Sequence, residues 1–195
     1  MSIFELYLKL GFQHIADIKG YDHILFILTL CGIYLLSQWR NVLILVTAFT
    51  IGHSITLALA TLNIVRVSTA WVEFLIPLTI FVTALGNIFY KGVSFSKGLH
   101  RFKYALALFF GLIHGLGFSN YLRQLLGMED NIVVPLFAFN VGLELGQILI
   151  LLIILLIAQL FISVFSAPRR EWNLVISGAS LGVSLILMLE RLPKF

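Results

Sequence analysis

The chain alternates long apolar runs with short polar breaks. Charged, Gly, Pro or Asn-bearing turns leave six runs, roughly Tyr21 to Leu36, Asn41 to Leu62, Ser68 to Tyr90, Phe102 to Leu122, Ile132 to Phe165 and Leu174 to Leu189. A hydrocarbon core of about 30 Å takes about 20 apolar residues as a helix. The pattern therefore predicts an all-α polytopic transmembrane bundle of six spans, one integral membrane domain over residues 1–195. The fifth run exceeds a crossing, so it is expected to tilt, to extend past the bilayer, or to follow a short interfacial turn around Pro135, which would allow a seventh span. Ahead of the first run, Ile3, Leu6 and Leu10, with Tyr7 and Phe12 nearby, lie opposite Glu5 and Lys9. That arc predicts an N-terminal helix over Ile3 to Ile15 lying in the membrane interface.

Composition agrees with the pattern. Hydrophobic residues make up 60% and charged residues 11%, with a mean hydropathy of +1.03, too few charges to cover a soluble domain. The lipid bilayer is thus the expected partner. The net charge of +4 comes from 13 Lys and Arg scattered through short connections, with no basic stripe, so nucleic acid is set aside. Cys31 is the single cysteine, which excludes an intramolecular disulfide and leaves a thiolate metal site unsupported. The N-terminus lacks the basic start, short apolar block and cleavage site of a signal peptide, so insertion is expected to rely on the first membrane helix. Arg40, Lys91, Lys97, Arg101, Lys103, Arg169 and Arg170 fall on one side, and Lys9, Lys19, Arg66, Arg123, Arg191 and Lys194 on the other. The cluster from Lys91 to Lys103 favours its side as cytoplasmic, with both termini outside.

Ionisable groups within a membrane cost about 2.5 to 3.5 kcal/mol each on insertion scales, so each one needs a reason. Asp22 and His23 open the first span, His53 lies in the second, Glu73 opens the third, His114 lies in the fourth and Glu144 in the fifth. Consecutive spans run in opposite directions, which allows their depths to be compared. Asp22, His23 and Glu73 fall in the first turns of spans starting on the side of the termini. His53 and His114 fall about 8 to 10 residues before their helices end on that side, roughly 12 to 15 Å deep. Glu144 lies at a similar depth. All six groups thus share one half of the membrane. Imidazole with carboxylate suits first-row divalent ions such as Ni, Co, Zn or Fe. Asn140, Glu144 and Gln147 make one polar stripe, and Thr50 and His53, with Ser54 and Thr56 nearby, do something similar. Gly111 with Gly115, and Gly142 with Gly146, let neighbouring backbones approach closely.

Each residue also has a plainer reading. Any single intramembrane His or Glu can serve as a helix-packing hydrogen bond, Asp22 as an N-cap, and Glu73 as a partner of a helix dipole. His100, among lysines outside the bilayer, reads as solvated, and His14 as intermediate. The convergence of the groups tips the balance toward a metal. No His-Glu-x-x-His helix or phosphate loop is present.

Four strings then carry a resemblance: GYDHILFILTL from Gly20, VTAFTIGHSITLALA from Val46, FFGLIHGLGFS from Phe109 and FNVGLELGQ from Phe139. Together they resemble the HupE/UreJ family of bacterial membrane proteins, in its shorter branch without a signal peptide. The resemblance implies a helical bundle in the bacterial inner membrane that handles nickel or cobalt. By position it maps the family's Asp-His pair onto Asp22 and His23, and its helix histidines onto His53 and His114. Better-known members have a His-Pro ahead of that pair at shorter spacing. Here His14 is followed by Ile15 and stands nine residues before His23, so the resemblance does not carry His14 over.

Two functions fit the constellation. In a divalent-metal permease or metal-handling protein, His23, His53 and His114, with a carboxylate from Asp22, Glu73 or Glu144, would form a transient site of mixed ligands. In an intramembrane zinc-type hydrolase the same histidines would hold the metal while Glu73, Glu144 or Asp22 acted as general base. Both predict the three imidazoles around a shared centre. The oligomeric state is left open by the sequence.

Overall fold

The computed structural model describes residues 1–90, 97–126 and 131–193; Lys91 and Lys194, counted above for orientation, lie outside the described residues. Among those residues every regular element is helical: α1 Ile3–Ile15, α2 Asp22–Cys31, a 3-10 turn Leu36–Gln38, α3 Trp39–Thr61, α4 Thr69–Phe89, α5 Lys97–Leu126, α6 Val133–Ser163 and α7 Arg169–Glu190. Five of them, α3 to α7, are long and apolar enough to cross a membrane.

The predicted first span differs. Of Tyr21 to Leu36 only the 10 residues of α2 are α-helical, and at 1.5 Å per residue they reach about 15 Å, half a hydrocarbon core. Past the C-cap at Gly32, the Arg169 guanidinium holds the chain in a turn. It donates to Ile33 O at 2.8 Å and to Gln38 Oε1 at 3.1 Å, and Gln38 Oε1 also accepts from Leu35 N. The fifth run is a single helix, α6, without a break at Pro135. That proline is the third residue of α6, where backbone N–H groups have no helical partner in any case.

The N-terminal helix is likewise placed differently from the expected surface position. α1 is capped by Ser2 and Glu5, each side chain accepting from the other's backbone N–H. It then lies lengthwise on α6, with Phe4 against Phe137 and with Tyr7 and Ile15 buried. Gly11 and Gly142 explain the fit. A Cβ on Gly11 would strike Phe139 O, and one on Gly142 would strike Leu8 O, so the two backbones touch as only glycine permits. The contacts advance together along both helices, so α1 runs parallel to the first half of α6.

α3 and α5 also run parallel and in close contact, with Gly111 against Phe49 O and Gly115 against His53 O. Side-chain amides join other helices. Asn87 Nδ2 donates to Thr29 O at 2.7 Å, and Asn173 Nδ2 to Asn87 O at 2.8 Å, which ties α2, α4 and α7 together. Phe26, Phe49, Ile80 and Phe110 fill the space between α2, α3, α4 and α5. That packing sets the start of α2 beside the middles of α3 and α5, where the histidines stand.

Candidate metal site

Four imidazoles come together inside the bundle. The His23 ring centroid lies 4.8 Å from that of His14, 5.9 Å from His53 and 5.2 Å from His114, and His14 lies 6.0 Å from His53. His53 is fully buried, His114 is 1% exposed and His23 is 7% exposed. Each sits where a particular local feature puts it: His14 at the end of α1, His23 in the first turn of α2, and His53 and His114 where the glycines of α5 draw it against α3.

The ring nitrogens have little to bind. Nε2 of His14, Nε2 of His23, both nitrogens of His53 and Nδ1 of His114 are buried without a hydrogen-bond partner among the described residues. Such groups are uncommon in folded proteins, because each gives up water for nothing. Aromatic side chains wall the cluster. Phe118 packs on His14 at 3.9 Å between centroids, and Phe26 and Phe49 on His114 at 5.2 and 5.0 Å.

His114 has one polar contact that fixes its state. Thr79 Oγ1 stands 2.9 Å from its Nε2 and 2.7 Å from Ile76 O. A carbonyl can only accept, so the hydroxyl hydrogen belongs to the bond with Ile76 O, and Nε2–H of His114 donates to Thr79 Oγ1. Nδ1 is left as a bare lone pair. An outer partner that holds one imidazole nitrogen and frees the other is the usual support of a metal-ligating histidine.

The carboxylates divide. Asp22 and Glu73 line a cavity of about 440 Å³ that is also bounded by His14, His23, His114 and Arg191. Asp22 is no N-cap, since it is the first residue of α2 and Tyr21 precedes it without a side-chain cap. Its Oδ2 accepts from Arg191 at 3.0 Å, while Oδ1 is buried with no partner among the described residues. Glu73 shares its backbone with a weak point of α4: Pro77 has no N–H to give the Glu73 carbonyl. Glu144 is not with them. It lies between α6 and α3, where Thr47 Oγ1 donates to its Oε1 at 2.6 Å and the Thr50 hydroxyl meets its Oε2. Thr50 also contacts Gln147, and Ser54 donates to Asn140 Oδ1 at 2.7 Å. The polar stripe read on α6 thus joins that of α3 and glues the two helices. As they stand, no three His, Cys, Asp or Glu side chains among the described residues are arranged to hold a metal ion.

The family model described as HupE / UreJ protein matches residues 1–191. The chain belongs to that family. No curated protein and no solved structure matches it. For this HupE/UreJ member, the residues mapped from the family, Asp22, His23, His53 and His114, are the ones found near one another. His14, which the resemblance left out, stands among them.

Sequence reasoning did not single out His14, Thr79 or Arg191 as parts of the cluster. Gly11 was a signal for His14: one turn ahead of it, it suits a close helix contact better than a lipid surface. Thr79 and Arg191 carried none, since a threonine in an apolar helix and an arginine at a helix end are both ordinary. His100 is half-buried and stacks on Tyr104 at 5.9 Å, rather than standing free in water.

Proposed function

We propose that this protein carries or delivers a divalent transition metal of the nickel or cobalt type, with zinc a further candidate, across the bacterial inner membrane through a site made by His14, His23, His53 and His114. The observation that carries the reading is the spacing of the rings. Two imidazoles sharing one tetrahedral metal at about 2.0 to 2.1 Å have centroids roughly 5 Å apart. Four of the six ring pairs lie 4.8 to 6.0 Å apart. The unpartnered ring nitrogens are the donors such an ion would take. Asp22 adds a carboxylate oxygen at the cavity, and Glu73 a second negative charge near its wall. A mixed nitrogen and oxygen site of this kind holds a passing ion without trapping it.

The course of the chain supports passage. α1 and α2 point the same way in succession, about 20 Å and 15 Å long at 1.5 Å per residue, and His14 and His23 stand at the break between them. Together they replace the first crossing by a discontinuous helix, which makes six crossings with α3 to α7. Broken helices that meet near the membrane midplane are a recurrent way for transporters to offer polar groups to an ion.

Three outcomes test the reading. His53→Ala and His114→Ala are expected to lose nickel or zinc retention while keeping near-normal expression, as measured by elemental analysis of protein purified without chelator. Unchanged metal in both would leave the histidines as packing groups. Glu144→Gln is expected to keep the wild-type metal content, because its carboxyl is engaged by Thr47 and Thr50; loss of metal would bring Glu144 into the site. Thr79→Val removes the acceptor of His114 Nε2–H and is expected to weaken metal binding by about 10- to 100-fold, with Thr79→Ser restoring it. Equal affinity in titrations of Thr79→Val and wild type would show that the hydroxyl does not support the ligand.

A further inference from the structure

Away from the histidines, a smaller cavity of about 160 Å³ lies between the connection from α3 to α4 and the last turns of α5. Among the described residues its lining holds Arg66, Ser119, Asn120 and Arg123, with no carboxylate. Two guanidinium groups therefore line one space with no acidic side chain among the described residues to balance them.

Arg123 has a structural duty that uses only part of it. One terminal nitrogen donates to Ala60 O in the last turn of α3, the ordinary way for a basic side chain to cap a helix end. Its Nε is buried and has no partner among the described residues. A helix cap does not account for that second donor. Arg66 makes no hydrogen bond or ion pair among the described residues. Asn120 Nδ2 donates to Thr69 Oγ1 at 3.2 Å, which leaves its other amide hydrogen available and brings the first turn of α4, the positive end of that helix dipole, to the rim. The Ser119 hydroxyl is turned to Leu116 O at 2.8 Å.

The geometry points to a binding site for a tetrahedral oxyanion, phosphate or a phosphodiester, held by Arg66 and Arg123 with Asn120 at its edge. Guanidinium groups match such an ion because their planar N–H donors meet its oxygens in pairs. The space is also more than a single water of about 30 Å³ would fill. The ion has two sources, free phosphate from solution or the headgroup of a phospholipid, since the cavity lies at the helix ends where headgroups stand.

The test uses the full chain, delipidated in neutral detergent. Inorganic phosphate is titrated against it and followed by thermal shift relative to chloride. Phosphatidylglycerol is added separately and followed by native mass spectrometry relative to neutral diglyceride. Saturable binding of phosphate assigns the site to the free ion, and binding of phosphatidylglycerol alone assigns it to a lipid headgroup. In either case Arg66→Gln is expected to weaken binding by about tenfold. Arg123→Lys, which keeps a charge able to reach Ala60 O, is expected to weaken it similarly while the chain stays folded. Absence of binding by both probes, or binding that neither substitution changes, overturns the proposal.

Discussion

Replacing His23 with alanine is expected to remove metal binding more completely than any other single change in the cluster. Its ring lies within 6.0 Å of those of His14, His53 and His114, so it is the member all the others share. Loss of an outer partner of a metal ligand costs about 10- to 100-fold in affinity, and loss of the ligand itself is expected to exceed that. His23 is also nearly buried, yet alanine leaves no unpaired polar atom behind, so the fold should survive. Isothermal titration with nickel and zinc, beside a thermal melt, separates the outcomes. Wild-type affinity in the variant would contradict the assignment, whereas a collapsed melt would mark His23 as structural. Because imidazole binds metal only when neutral, wild-type affinity should fall as pH is lowered, and the His23→Ala chain should lose much of that dependence.

The second large effect is expected at Gly142. Leucine there would place its Cβ against Leu8 O and the Phe12 backbone. Overpacking a core costs about 1 to 3 kcal/mol when neighbouring side chains can give way, and here the obstacle is main chain. α1 should part from α6 and withdraw His14 from the cluster. The same substitution at Gly178, where an added Cβ meets nothing within 4 Å, supplies the control. Protease sensitivity of the link between α1 and α2 should rise sharply in Gly142→Leu and stay at the wild-type level in Gly178→Leu. Equal resistance in both would mean that the contact of α1 with α6 does not hold α1 in place.

Much of this was legible in the sequence, for a simple reason. Antiparallel crossings convert position along the chain into depth, so the distances of His53 and His114 from their helix ends set those two at one level and placed His23 in the same half of the membrane. Depth does not fix direction around a helix axis. Glu144 has the right depth and turns toward Thr47 and Thr50 on α3, as its stripe with Asn140 and Gln147 allowed. His14 was obscured by α1 itself. An apolar arc opposite Glu5 and Lys9 is the same pattern whether the helix lies on lipid or on another helix, and only Gly11 paired with Gly142 tells the two apart. The first span differed in length: Tyr21 to Leu36 is apolar enough to read as a crossing, but α2 ends at Cys31 and the chain beyond it turns to meet Arg169, which stands 136 residues from Ile33.

The shared imidazole site is tested most directly by X-ray absorption at the zinc edge of protein loaded with one equivalent of zinc. The account predicts a first shell with at least three imidazole nitrogens at about 2.0 to 2.1 Å, showing the outer-ring scattering of histidine and losing one nitrogen in His114→Ala. A shell made of oxygen alone, or one unchanged by that substitution, would contradict it.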